Sequence, residues 1–325
     1  MMPRMGIQES VLSLAHGLGL GALARRATRR HLRILCYHGI WVTPGPKFGN
    51  CIFIEPEQFE QRMARLRRSG RPVLPLGEAV DLLARDDLPD AAVVITIDDG
   101  WLSTLTHMLP VLEAYGLPAT LYATSWYSQH RLPVINVATE YIRTVSGHTD
   151  IDERAAIAAI EALPIPERLA ALRVFGARLG VAEDWLETRQ FELMSGADLA
   201  EAKSRGLDIQ LHTHRHVEIG QNVAALSQEL ADNRAFLAAA LGAGNLDHFC
   251  FPSGSFHRDA RAMLEDAGIR SATLCELGLN APGSDPLALR RLLDGRSVGD
   301  AAFDAYLNGT LHYVAQIVTA LRRSA

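Results

Sequence analysis

An unbroken apolar run, Ala91-Ala92-Val93-Val94-Ile95, leads straight into Thr96-Ile97-Asp98-Asp99-Gly100. Such a run reads as a buried strand ending in a turn. Side chains alternate along a strand and glycine lets the backbone turn sharply, so Asp98 and Asp99 can point in different directions within one small space. One carboxylate of such a pair can bind a metal while its neighbour handles a proton. Asp-Gly behind a strand is also an ordinary turn, so the pair acquires meaning only if other groups converge on it.

Three further strands end in polar clusters. Leu207-Asp208-Ile209-Gln210-Leu211 runs into His212-Thr213-His214-Arg215-His216. If a helical turn begins there, His212 and His216 share a face with their Cβ atoms about 5–6 Å apart, close enough to grip one cation, and His214 falls off that face. Asp247-His248-Phe249-Cys250-Phe251 ends in Pro252-Ser253-Gly254, a turn able to present backbone N–H groups to a substrate oxygen. Arg33-Ile34-Leu35-Cys36 ends in Tyr37-His38-Gly39. In a parallel α/β sheet or barrel the loops at the C-terminal ends of the strands lie on one face, where the site is built.

The rest of the chain fits that architecture. Helical patterns over residues 55–69, 77–84, 104–115, 196–205, 223–241 and 258–267 alternate with the strands and with further strands at 119–123 and 271–275, as a mainly parallel sheet requires. Between residues 126 and 192 the alternation stops, and helices over 154–163, 166–179 and 182–188 read as an insertion over the active face. Past residue 280 the pattern fades until a closing helix over 306–322. The expected division is an N-terminal helical segment 1–30, a main domain 31–293 and a C-terminal helical extension 294–325.

With 32 basic and 37 acidic residues the net charge is −5, and no basic block argues for nucleic acid as a partner. Cys36, Cys51, Cys250 and Cys275 lack paired spacing, which favours buried thiols in a reducing compartment over a disulfide framework or zinc knuckle. Residues 11–24 are apolar, but glycines interrupt them and the arginines follow rather than precede, unlike a secretory signal. An amphipathic helix packed on the domain, or one attached peripherally to an anionic membrane through those arginines, is expected in a cytoplasmic protein.

Together these pieces resemble the polysaccharide deacetylases with a NodB-homology domain, the fourth family of carbohydrate esterases, over roughly residues 31–293. Thr96-Ile97-Asp98-Asp99-Gly100 matches the family's first motif, and His212-Thr213-His214-Arg215-His216 its second. The resemblance implies a distorted (β/α) barrel of about seven strands, a divalent metal held by Asp99, His212 and His216, and Asp98 as catalytic base. The third motif departs from the usual Arg-x-Pro-Tyr: Cys250 stands where the arginine that orients the base belongs, and Arg290 or Arg291 would have to supply that charge. Leu35-Cys36-Tyr37-His38 matches the permuted motif of the branch similar to exopolysaccharide deacetylases, which makes His38 the catalytic acid.

The implied reaction is hydrolysis of the N-acetyl amide of an amino sugar in a glycan or glycoconjugate. One aspartate and two histidines with open positions suit zinc or a similar ion, which polarises the carbonyl and acidifies water. Asp98 takes the proton from that water, a backbone N–H near Ser253 shares in holding the oxyanion, and His38 protonates the departing amine. An amidase acting on a non-sugar substrate, or a catalytically silent member that binds a glycan or a partner, are the alternatives. Trp101, Trp126, Tyr127 and Tyr141 are the aromatics that could stack on a sugar or simply pack.

Overall fold

The computed structural model describes residues 20–314 except 46, 48–51 and 243. Cys51, the apolar segment before residue 20 and the end of the expected closing helix therefore lie outside the described residues. The elements, in chain order, begin with α1 (Leu20–Ala27), β1 (Arg33–Tyr37), β2 (Gly39–Ile40), β3 (Phe53–Ile54), α2 (Pro56–Arg68) and α3 (Leu76–Ala84). Then come β4 (Val93–Asp99), α4 (Leu109–Tyr115), β5 (Thr120–Ala123), α5 (Trp126–His130), α6 (Ile135–Ser146), α7 (Glu153–Glu161), α8 (Ile165–Arg178) and α9 (Asp184–Glu187). The chain continues through α10 (Gly196–Ser204), β6 (Asp208–Leu211), α11 (Leu226–Leu241), β7 (His248–Cys250), α12 (Ala260–Asp266), β8 (Ser271–Thr273), β9 (Leu292–Leu293) and α13 (Asp300–Leu307).

Seven strands pair in the order β8-β7-β6-β5-β4-β1-β9, and every pairing is parallel. The sheet curls into a distorted half-barrel, the fold that the sequence predicts. Its seam is bridged by the last strand's approach: Leu289 pairs with Thr273 at the end of β8, and three residues later Leu292 pairs with Leu35 of β1. Arg291 therefore enters the structure on the segment that closes the seam.

Strand parity sorts the side chains. Leu35, Tyr37, Val93, Ile95, Ile97, Leu121, Ile209, Leu211 and Phe249 belong to the large core shared with the outer helices, including the Phe59, Met63 and Leu66 stripe of α2. Ile34, Val94, Tyr122, Cys250 and Leu289 face the other way, into the barrel, where α3 covers them with Leu76, Ala79, Val80 and Leu83. Both faces of β4 are buried, so its sequence is a continuous apolar run rather than an alternating one. The same parity carries Thr96 and Asp98 inward.

The segment between β5 and β6 has its own hydrophobic cluster, in which Tyr141, Ile142, Leu172 and Trp185 pack with Trp41, Phe53, Trp101 and Phe191. Two helices within it, α5 and α6, went unnoticed in the sequence, as did the short parallel pair of β2 and β3. The helix expected over 104–115 is present but opens as a π-helical turn, Thr104–Met108, before α4. Pro110 has no N–H to give to the carbonyl four residues earlier, so the regular hydrogen-bond ladder is interrupted there. The closing helix also differs. Gly309, at φ +86°, separates α13 from a helical turn at residues 310–314, and a Cβ there would collide with Thr28.

Buried arginines hold these ends together. Arg33 donates to the Leu307 carbonyl at 2.7 Å and to Thr28 Oγ1 at 2.9 Å, joining β1 to the segments before and after the barrel. Arg62 on α2 reaches Asp294 at 3.2 Å, and Tyr37 donates its hydroxyl to the same carboxylate at 2.8 Å. No helix among the described residues is long and apolar enough to cross a membrane.

Candidate active site

Asp98 points into the barrel and meets Arg291 there. The guanidinium donates Nη1–H to Oδ1 and Nη2–H to Oδ2, each at 2.7 Å, with both side chains almost wholly buried. Arg291 is itself steered by the Leu274 carbonyl, which accepts from Nε at 2.8 Å, and by Thr96 Oγ1 at 3.1 Å. Burial pushes the Asp98 carboxyl up, and the guanidinium more than reverses this, holding it at about 2. Arg290, the other candidate for the missing third-motif charge, is exposed and faces Glu276 at 3.4 Å.

Asp99 leaves the strand with φ 73°, a left-handed conformation that the following Gly100, at φ 98°, continues. This turns its carboxylate to the barrel's mouth. Trp101 Nε1–H donates to Oδ2 at 2.8 Å. Oδ1 is buried and makes no hydrogen bond, yet it lies 3.3 Å from His212 Nε2 and 3.4 Å from His216 Nε2. Three ligand atoms thus face one another without bonding to one another. Two ligands each ~2.0–2.1 Å from a tetrahedral ion are roughly 3.3 Å apart, so the spacing fits a divalent cation held between them.

The tautomer of His212 is set by its other nitrogen. Nδ1 lies 2.8 Å from the Cys250 carbonyl, which can only accept, so the proton sits on Nδ1 and the Nε2 lone pair is free. Its backbone N–H donates to Asn233 Oδ1 at 3.0 Å, and Asn233 also donates to the Ala123 carbonyl at 3.0 Å, anchoring the histidine loop to α11 and β5. The expected helical turn is absent: residues 212–218 form an irregular loop with left-handed Thr213 (φ 63°) and His216 (φ 57°). The backbone reverses rather than winds, and that brings the two rings to 5.1 Å between centroids. His214 is turned away, its Nδ1 2.8 Å from Ser125 Oγ.

Two other ligand groupings exist among the described residues, Cys36–His38–Asp98 and Asp98–His212–Cys250. Both include Asp98, whose carboxylate already carries a bound guanidinium. A second cation against that oxygen meets like-charge repulsion at short range in a low dielectric. Asp99, His212 and His216 form the one of these three groupings that does not share its carboxylate with a guanidinium.

His38 follows β1 and places Nε2 4.0 Å from Asp98 Oδ2, with its side chain 13% exposed. Its Nδ1 is buried and makes no hydrogen bond among the described residues. Burial lowers its pKa below the usual 6.5, against the pull of Asp99 and Asp98, so the resting imidazole is neutral at pH 7. Ser253 sits exposed in the turn directly after β7 with φ 55° and ψ 12°. Gly254 fixes that turn, because a Cβ there would lie 2.5 Å from the Cys275 nitrogen. No hydrogen bond among the described residues joins Ser253 to either carboxylate.

Of the aromatics considered for sugar stacking, Trp101 and Tyr141 are buried, and Trp101 serves Asp99 instead. Trp126 and Tyr127 are half-buried, and Arg168 lies over the Trp126 ring at 5.4 Å. Sequence reasoning missed the Trp101 bond, Asn233 and the two thiols beside Asp98. Only the first left a local signal, a tryptophan two positions after a ligand candidate.

Comparison with known proteins bears on the family and the fold. The family model described as polysaccharide deacetylase matches residues 85–272, more than half of the chain. A Bacillus subtilis (strain 168) protein named "Putative polysaccharide deacetylase YxkH" is 35% identical over 92 residues, 28% of this chain. That match spans only 31% of YxkH. Among solved structures, the Streptococcus pyogenes deacetylase PplD in complex with acetate superimposes with a TM-score of 0.57 at 18% identity, covering 82% of this chain and 92% of that one. IcaB from Ammonifex degensii gives 0.57 at 21% identity, covering 86% and 97%. These likenesses are in the fold.

Proposed function

The chain belongs to the polysaccharide deacetylase family, and from that premise we propose that it hydrolyses the N-acetyl amide of an amino sugar in a glycan or glycoconjugate, with zinc or a similar divalent ion bound by Asp99, His212 and His216. One observation carries this reading: the unbonded Asp99 Oδ1 faces two imidazole nitrogens directly beside Asp98, a carboxylate that Arg291 keeps ionised.

A divalent ion held there would polarise the acetyl carbonyl and make a water more acidic. Asp98 accepts that water's proton while the new C–O bond forms and the carbonyl electron pair moves onto oxygen. The turn at Ser253 offers backbone N–H to that oxygen. As the C–N bond breaks, its electron pair goes to nitrogen and His38 delivers a proton there. A neutral resting His38 has to gain that proton during the reaction, and Asp98, which has just taken one, lies beside it. The enzyme thus returns to its starting protonation state with each acetate released.

The silent alternative rested on the arginine missing at Cys250. Arg291 holds Asp98 from the segment just before β9, which takes that support away. The test is acetate release from a panel of N-acetylhexosamine oligomers, before and after chelation and with zinc restored. Release that stops on chelation and returns with metal supports the reading. Metal-loaded protein that frees no acetate from any sugar, but does from a simple N-acetyl amine, would shift it to the non-sugar amidase.

A further inference from the structure

Two thiols lie against the same oxygen of the base. Cys36 on β1 places Sγ 3.5 Å from Asp98 Oδ2, and Cys250 on β7 places Sγ 3.4 Å from it. Both side chains are buried, and strand parity points both inward. Each thiol has one proton and a second acceptor within reach, the Tyr37 carbonyl at 3.8 Å for Cys36 and the Phe251 carbonyl at 3.7 Å for Cys250. The carboxylate is nearer and charged, so it takes both. Cys250 sulfur in turn accepts from Arg291 Nη2 at 3.1 Å.

Counting donors separates the two oxygens of Asp98. Oδ2 faces Arg291 Nη2–H and two S–H groups, three donors for about two lone-pair directions. Oδ1 receives Arg291 Nη1–H and so retains an open direction. We propose that Cys36 and Cys250 are positioning residues for the reaction argued above, their S–H groups holding Oδ2 and with it the orientation of the whole carboxylate. The proposal rests on the deacetylase reading for its kinetic consequence, but the hydrogen bonds themselves do not.

The test compares serine with valine at each position. Serine keeps a donor, whereas valine keeps the volume and the apolar character of a buried cysteine. If the thiols position the base, Cys250→Val and Cys36→Val lose roughly tenfold in kcat, the worth of one hydrogen bond to a charged group, while the serine variants retain most of it. KM and bound zinc stay unchanged, and in thermal melting the order reverses, with valine at least as stable as serine. Valine variants as active as serine variants would overturn the proposal.

Infrared spectroscopy of the S–H stretch reads the same bonds without turnover. Difference spectra against Cys36→Ser and Cys250→Ser assign the two bands, which are expected at low frequency. The Cys36 band should rise in the Asp98→Ala/Arg291→Met double variant, which removes the acceptor and its counter-charge together. A Cys36 band unmoved by that change would overturn the proposal, whereas absent acetate release with shifted bands would overturn only the deacetylase reading.

Discussion

Arg291 and Asp98 join the seam-closing segment to the central strand β4 through two parallel 2.7 Å hydrogen bonds at the barrel's heart. One ion pair therefore does two things: it completes the barrel's closure and keeps Asp98 ionised. Because both partners are buried, removing either leaves an uncompensated charge.

Arg291→Met should destabilise the fold by about 3–5 kcal/mol, measured by urea unfolding, with a large part restored in Asp98→Asn/Arg291→Met. The pH dependence has a definite sign. The folded pKa of Asp98, about 2, lies below its usual 3.8, so the stability it contributes is present in full above about 4 and is lost as pH falls toward 2. In Arg291→Met burial acts unopposed, the Asp98 pKa rises, and that variant's activity should fail at a higher pH on the acid side. An acid limb identical to wild type would show that Asp98 is not the titrating base.

Asp98 and Asp99, although adjacent, should fail differently. Asp98→Asn is expected to keep its metal and lose roughly 10²–10⁴-fold in kcat, the loss typical of a general base. Asp99→Ala, His212→Ala and His216→Ala should lose metal, whereas His214→Ala should keep it, as its bond to Ser125 faces elsewhere. Metal analysis of the five purified variants decides the assignment, and stoichiometric zinc in His216→Ala would count against it.

Trp101 orients Asp99 through a single N–H donor at 2.8 Å. Trp101→Phe keeps most of the packing against Phe53 but removes that donor. Zinc affinity, measured by chelator competition, should fall about 10–100-fold, as expected when a ligand's supporting hydrogen bond is lost. Unaltered affinity would mean that the Asp99 carboxylate is held by the backbone alone.

The parts of this site that could be read in the sequence are those that strand parity and strand ends determine. The apolar run before Asp98 predicts a buried strand, alternation predicts that neighbours diverge, and four strands end in polar clusters on one side. The parts that could not be read depend on contacts between distant segments. Nothing local tells Arg291 from Arg290, because β9 is two residues long and its register is set by pairing with Leu35 and Cys36. The closeness of His212 and His216 was legible in their spacing, but its cause, left-handed Thr213 and His216, is invisible where neither residue is glycine. The thiols beside Asp98 come from β1 and β7, which are not neighbours in the sheet and meet only across the barrel.

His38 is tested by the leaving group. It lies 4.0 Å from Asp98 and far in sequence from the metal-compatible cluster, and burial keeps it neutral at rest. If it protonates the departing amine, His38→Ala should retain zinc and substrate affinity but hydrolyse the amide poorly, by roughly 10²–10⁴-fold in kcat/KM. An activated aryl acetate leaves without protonation, so its hydrolysis should suffer much less, since only interactions made in the rate-limiting transition state change the rate. The ratio of the two losses separates a proton donor from a structural histidine. A structural histidine would damage both reactions alike, because a displaced Asp98 accepts the water's proton in each.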